Sequence, residues 1–156
     1  MVRVAGLKSQ IAAKVDELSD DGLTPSQQLQ LVKDVASELM ARQQRCWEKI
    51  RSELKKDDVF VLDPKDVDSS QKIILADYFR SNVFPVLTPV AIDPVHPFPF
   101  IPNLGISLVL LLRRETDGEE LRALLPLPNL MDRFVPIGGA EDTFIALEDL
   151  ISLNLD

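Results

Sequence analysis

Along the first third of the chain, apolar residues return every three or four positions, and further on they gather into short β-type runs between turn residues. Val4, Leu7, Ile11, Val15 and Leu18 keep helical spacing, which predicts a helix over residues 4–18 that stops at Asp20-Asp21-Gly22. Thr24-Pro25-Ser26-Gln27 is the next start signal. Thr24 is a good N-cap, Pro25 stands where a missing N–H costs nothing, and Gln27 completes a capping box. No Gly or Pro interrupts the chain from there to Lys55, so one helix of roughly 45 Å is expected. Its stripe comprises Leu29, Val32, Ala36, Leu39, Cys46, Trp47, Ile50 and Leu54. Ordinary core packing is the default for such a stripe. The helix nevertheless outruns what a compact domain of this size covers, so part of it is expected to meet something outside this fold.

Residues 59–62 read as a short strand. Asp68-Ser69-Ser70-Gln71 repeats the capping pattern and opens a helix that carries Ile73, Ile74, Tyr78 and Phe79 to about Asn82. Residues 106–113 form a strongly β-type run, Asp117-Gly118 is a tight-turn signal, and residues 120–125 supply the return strand of a hairpin. Residues 133–137 make a further strand closed by Gly138-Gly139, Phe144 and Ile145 pair briefly, and a helix follows over 147–155. Helices and strands are segregated, which predicts an α+β fold. It consists of an N-terminal helical hairpin with one long helix, then a small, mainly antiparallel sheet with flanking helices.

Between these parts lies Phe84 to Asn103, FPVLTPVAIDPVHPFPFIPN, with six of the chain's eleven prolines in twenty residues. Proline fixes φ and removes a backbone donor, so neither an ordinary helix nor a central strand runs through it. Its apolar content predicts an extended strap pressed against a core and stiffened by its own prolines.

Composition narrows the picture. Forty-six per cent of the residues are hydrophobic, enough for a folded core, and no apolar run reaches membrane-span length. The net charge of −8 is uneven: residues 1–56 carry +2 and residues 57–156 carry −10. An acidic body speaks against a nucleic-acid binder. The single Cys46 excludes an internal disulfide and fits a cytoplasmic setting; it reads as an inert helix thiol.

Candidate chemistry is sparse. Residues 81–112 contain no Lys or Arg, so the strap has nothing with which to hold a polyphosphate. His96, the only histidine, could act as a base or phosphate acceptor; pinning the strap through a loop carbonyl or Asp93 is the plainer role. Gly138-Gly139 lacks the rest of a phosphate loop. No Cys/His group has metal-ligand spacing, and no catalytic residue is assigned. Arg113, Arg114 and Arg133 are expected at a solvated edge or in ion pairs, with an anion contact at Arg133 as the sharper alternative.

With these residues laid out, the chain resembles bacterial polyphosphate kinase of the ATP-dependent, histidine-phosphorylating type. The resemblance rests on Val2-Arg3-Val4-Ala5-Gly6-Leu7, Gly22-Leu23-Thr24-Pro25, Phe84-Pro85-Val86-Leu87-Thr88-Pro89, Asp93-Pro94, His96-Pro97-Phe98-Pro99-Phe100, Asn103-Leu104, Arg133-Phe134-Val135 and Phe144-Ile145-Ala146-Leu147-Glu148-Asp149. Pro89, Asp93, His96, Pro97, Phe98, Pro99 and Asn103 are its structural signature. The resemblance implies a parent enzyme that moves the terminal phosphate of ATP onto polyphosphate, reversibly, through a phosphohistidine and with magnesium. It implies that residues 1–56 are the last helices of a helical N-terminal domain and residues 57–156 the first half of a head domain that helps form a homo-oligomer. The family's nucleotide-binding, phosphate-accepting and metal-binding residues have no counterpart among these positions, and His96 does not match the accepting histidine's context. A fragment so placed is expected to be inactive alone, with ATP, magnesium and polyphosphate met only through the whole enzyme and with that enzyme's other domains as partners.

Both chain ends run in helical rhythm without caps and read as interrupted. Two other classes stay in view. One is a free-standing interaction module that docks through its long helix. The other is an enzyme in its own right, against which the missing nucleophile and metal cluster speak.

Overall fold

The computed structural model describes residues 2–93, 95, 98–102, 104–139 and 142–155, which fall into two compact units, Met1–Leu54 and Lys55–Asp156.

The first unit is a helical pair, α1 (Val2–Ala12) packed on α2 (Pro25–Leu54). The Thr24 capping box is made: Thr24 N–H donates to Gln27 Oε1 at 2.9 Å, and Gln27 N–H donates to Thr24 Oγ1 at 3.3 Å. α1 stops six residues short of the predicted Leu18. Lys14 takes a left-handed φ of 54°, Val15 N–H donates to the Gln10 carbonyl at 3.0 Å, and Lys14 N–H to that of Ile11 at 3.0 Å. This is a Schellman stop at a residue other than glycine, which periodicity does not reveal. Leu7 and Leu29 are buried, and the buried Gln28 ties the unit together. Its Oε1 accepts from Arg3 Nη2 at 2.7 Å, and its Nε2 donates to Ser19 Oγ and Asp21 Oδ2, both at 2.5 Å. Past Leu29, core packing fails for most of the stripe: Val32, Ala36, Leu39, Cys46 and Ile50 are exposed, while Trp47 and Leu54 are half-buried.

The second unit holds two three-stranded sheets where one was expected; the α+β class and the mainly antiparallel pairing stand. In one sheet, β6 (Thr143–Ala146) lies between β1 (Phe60–Leu62), its parallel partner, and β5 (Phe134–Pro136), its antiparallel partner. In the other, β4 (Glu120–Pro126) lies between β2 (Val90–Ile92) and β3 (Ser107–Arg113), all antiparallel. α3 (Ser69–Tyr78) starts at an Asp68 capping box, and the chain continues as a π turn over Phe79–Val83. α4 (Leu147–Ser152) follows β6 directly and is shorter than expected. One core joins these elements: Leu75 of α3, Phe79 and Val83 of the π turn, Leu125 of β4, Val135 of β5, Ile145 of β6, and Leu147, Leu150 and Ile151 of α4. Burying such side chains is the dominant favourable term for a unit of this size.

Candidate interaction surface

The strap is anchored where it begins and again through β2. Val83 is fully buried, Leu87 packs on the core, and the Phe79 and Phe84 rings lie 6.0 Å apart at 59°. Phe84–Val86 forms a 3₁₀ turn closed by Leu87 N–H donating to the Phe84 carbonyl at 3.2 Å. Exposed Pro89 leads into β2, which takes an edge of its sheet, as a proline-flanked strand must. Asp93 Oδ1 accepts from Val95 N–H at 2.8 Å and turns the chain out of the strand.

Beyond that turn, the expectation of a strap pressed against the core needs correction. Pro99 and Ile101 are half-buried, but Phe98 is 64% exposed and Phe100 88%. Burial alternates along residues 98–102, and both phenylalanines fall on the exposed side among the described residues. Leu104 is fully exposed at a φ of 61°, a conformation bulky residues rarely adopt. It stands in a tight turn in which Gly105 N–H donates to the Pro102 carbonyl at 3.1 Å. A Cβ on Gly105 would lie 2.9 Å from Pro102 Cγ. His96, Pro97 and Asn103 lie outside the described residues. Sequence patterning did not single out Leu104, because a positive φ leaves no mark when the residue is leucine.

Arg114 and Arg133 are engaged in ion pairs, while Arg113 stands exposed at the end of β3. Arg133 Nη2 and Nε both donate to Glu148 Oε1, at 2.6 and 3.2 Å, while the Arg133 carbonyl accepts from Leu147 N–H at 2.7 Å. Side chain and backbone together thus lock the entry of β5 to the first turn of α4. Glu148 Oε2 is buried with no hydrogen-bond partner, so the pair is not fully satisfied. Arg114 Nη1 holds Asp117 Oδ2 and Glu119 Oε2, each at 2.8 Å, and braces the β3–β4 turn.

Two carboxyls are held below the usual range. Asp68 is lowered chiefly by the Ser70 hydroxyl and then by the Gln71 N–H; Asp21 is lowered chiefly by the Leu23 N–H. Both serve local backbone turns far in sequence from the strap. Among the described residues no three His, Cys, Asp or Glu side chains are grouped to hold a metal, and no helix is long and apolar enough to cross a membrane. What the arrangement offers is an apolar surface at Phe98, Phe100 and Leu104 on a proline-rich segment.

Comparison with known proteins agrees across the chain. The polyphosphate kinase N-terminal domain matches residues 1–62, and the polyphosphate kinase middle domain matches residues 70–156. The polyphosphate kinase of Erythrobacter litoralis is 41% identical over 152 residues, covering 97% of this chain and 21% of that protein. That of Thermosynechococcus vestitus is 37% identical over 163 residues, covering 99% and 22%. The crystal structure of polyphosphate kinase from Porphyromonas gingivalis superposes with a TM-score of 0.61 at 26% identity, covering 76% of this chain and 22% of that one. The chain therefore spans about a fifth of the length of these relatives. Through the family's N-terminal and middle domains, which between them account for nearly every residue, this chain belongs to the polyphosphate kinase family.

Proposed function

We propose that these residues are framework of a polyphosphate kinase, an enzyme that transfers the terminal phosphate of ATP to a growing polyphosphate chain through a phosphohistidine. In this reading residues 1–56 end the helical N-terminal domain, and residues 57–156 begin the head domain, which contributes to a homo-oligomer in the cytoplasm. ATP and magnesium belong to the whole enzyme, and the chemistry to its other domains. The observation that carries the reading is the order of the two domain matches over nearly the whole chain, at about a fifth of the relatives' length. The bare aromatic side of the strap supports it, since Phe98 and Phe100 gain nothing from standing in water.

The test compares two proteins. The 156-residue chain with ATP and magnesium is expected to give neither hydrolysis nor polymer. The full product of its gene is expected to make polyphosphate and to carry acid-labile phosphate on histidine. Polymer formed by the short chain alone, or none formed by the full product, refutes the assignment.

The exposed stripe residues of α2, Val32, Ala36, Leu39, Cys46 and Ile50, support a second reading, an independent module that docks through this helix. A reading frame confined to these 156 residues would favour it over the first.

A further inference from the structure

Three of the four sheet edges are blunted. β1, β2 and β5 have three residues each; Pro89 stands directly before β2, and β5 ends in Pro136. Short strands and prolines are the usual means of keeping an edge from recruiting another strand. β3 has neither protection. It runs seven residues, Ser107–Arg113, without Pro or Gly, and its one charge is at its last position. Among the described residues, β4 on one side is its one strand partner.

The ladder shows which groups remain open. Leu127 N–H donates to the Ile106 carbonyl at 3.0 Å, and Arg114 N–H donates to the Glu119 carbonyl at 2.9 Å, one bond just beyond each end of β3. In an antiparallel pair the bonded positions alternate, so Leu108, Leu110 and Leu112 turn their backbone groups to β4. The N–H and C=O groups of Ser107, Val109, Leu111 and Arg113 point to the open side. The side chains agree. Leu108 and Leu110 pack on the core with Leu125, while Val109 and Leu111 are 64% and 79% exposed on the opposite face. A strand apolar on both faces belongs inside a sheet, not at its margin.

We propose that the open edge of β3 seats a further β-strand with alternating apolar residues, supplied by the part of the same polypeptide outside these 156 residues. This rests on the framework reading above, because the relatives are nearly five times longer than the chain. A strand tethered to the same molecule competes at an effective concentration of about millimolar for short flexible tethers. A second copy of the chain at ordinary concentration loses to it.

Hydrogen exchange resolved within residues 107–113 tests this, on the short chain and on the full gene product. In the short chain at low concentration, the Val109 and Leu111 amides are expected to exchange freely while those of Leu108, Leu110 and Leu112 are slowed. In the full product the outward amides should slow by about a hundredfold or more. Leu111→Pro deletes one outward donor and none directed at β4. It is expected to shift the short chain's melting temperature by less than about 2 °C and the full product's by several degrees. A full product that makes polyphosphate yet exchanges Val109 and Leu111 as fast as the short chain overturns the proposal and leaves the functional reading intact. Equal protection arising in the short chain as it dimerises also overturns it, by making a second copy the occupant. Protected outward amides in a full product without polyphosphate synthesis would support the strand and sink the functional reading.

Discussion

Leu150 has no solvent exposure and lies among Val135, Ile145 and Ile151 in the core that joins α4 to the sheets. Leu150→Ala removes buried methyl groups and leaves a cavity, so it should destabilise the second unit by about 2–5 kcal/mol in urea unfolding. Leu130, fully exposed, is the control, and its alanine variant should stay within about 0.5 kcal/mol of the parent. Asp68 acts through charge. Its folded pKa lies below the ordinary value of 3.8, so the ionised carboxylate stabilises the fold. That contribution is fully present above the unfolded value and disappears as pH falls through the folded one. Asp68→Asn keeps an N-cap but cannot titrate. Its melting temperature should therefore fall less steeply than the parent's as pH drops below about 4. Parallel melting curves for the two proteins across that range would contradict this. The Arg133–Glu148 pair is a weaker support, since the arginine is more than half exposed and such pairs contribute little.

The elements most legible in the sequence were those fixed by near neighbours. Thr24 with Gln27 and Asp68 with Gln71 are three residues apart, and both boxes form as read. The β3–β4 hairpin was legible through Asp117-Gly118, where Gly118 takes a φ of 73°. What escaped was decided by distant residues. Phe144 and Ile145 read as a brief pairing, yet they lie in the central strand of a sheet, because β1 from more than eighty positions earlier lies alongside. Arg133 finds Glu148 fifteen residues on, a separation no local pattern encodes. The strap was legible as a segment that no ordinary helix or central strand crosses, but not in which side it buries, since prolines specify backbone shape and not cover. Gly105 is where that shape is least tolerant. Gly105→Ala would set a Cβ 2.9 Å from Pro102 Cγ and 3.1 Å from the Pro102 carbonyl oxygen. Overpacking of this kind should cost about 1–3 kcal/mol, read as a lower melting temperature. An alanine variant as stable as the parent would mean that the turn at Leu104 opens without cost.

For the molecule as a whole, the two halves of its apolar inventory behave differently. Leu75, Leu125, Ile145 and Leu150 are buried in a core that the second unit completes by itself. Phe98, Phe100 and Leu104 on the strap, like Val35 and Leu39 on α2, are exposed. If the bare set is merely surface, replacing it should matter as little in a longer protein as in this chain. If it is an unoccupied internal face, the effect should depend on what else is present. Phe98→Ser with Phe100→Ser distinguishes the two cases. In the 156-residue chain the pair loses almost no buried area, so stability should change by less than about 0.5 kcal/mol. In the full gene product each ring would be leaving a packed site, and Phe truncations of that kind cost about 3–5 kcal/mol. The measurement is the same denaturant titration on both proteins, followed by polyphosphate synthesis at a temperature where the parent is folded. A double variant equally neutral in both would show that the strap's aromatic side faces water in the complete enzyme.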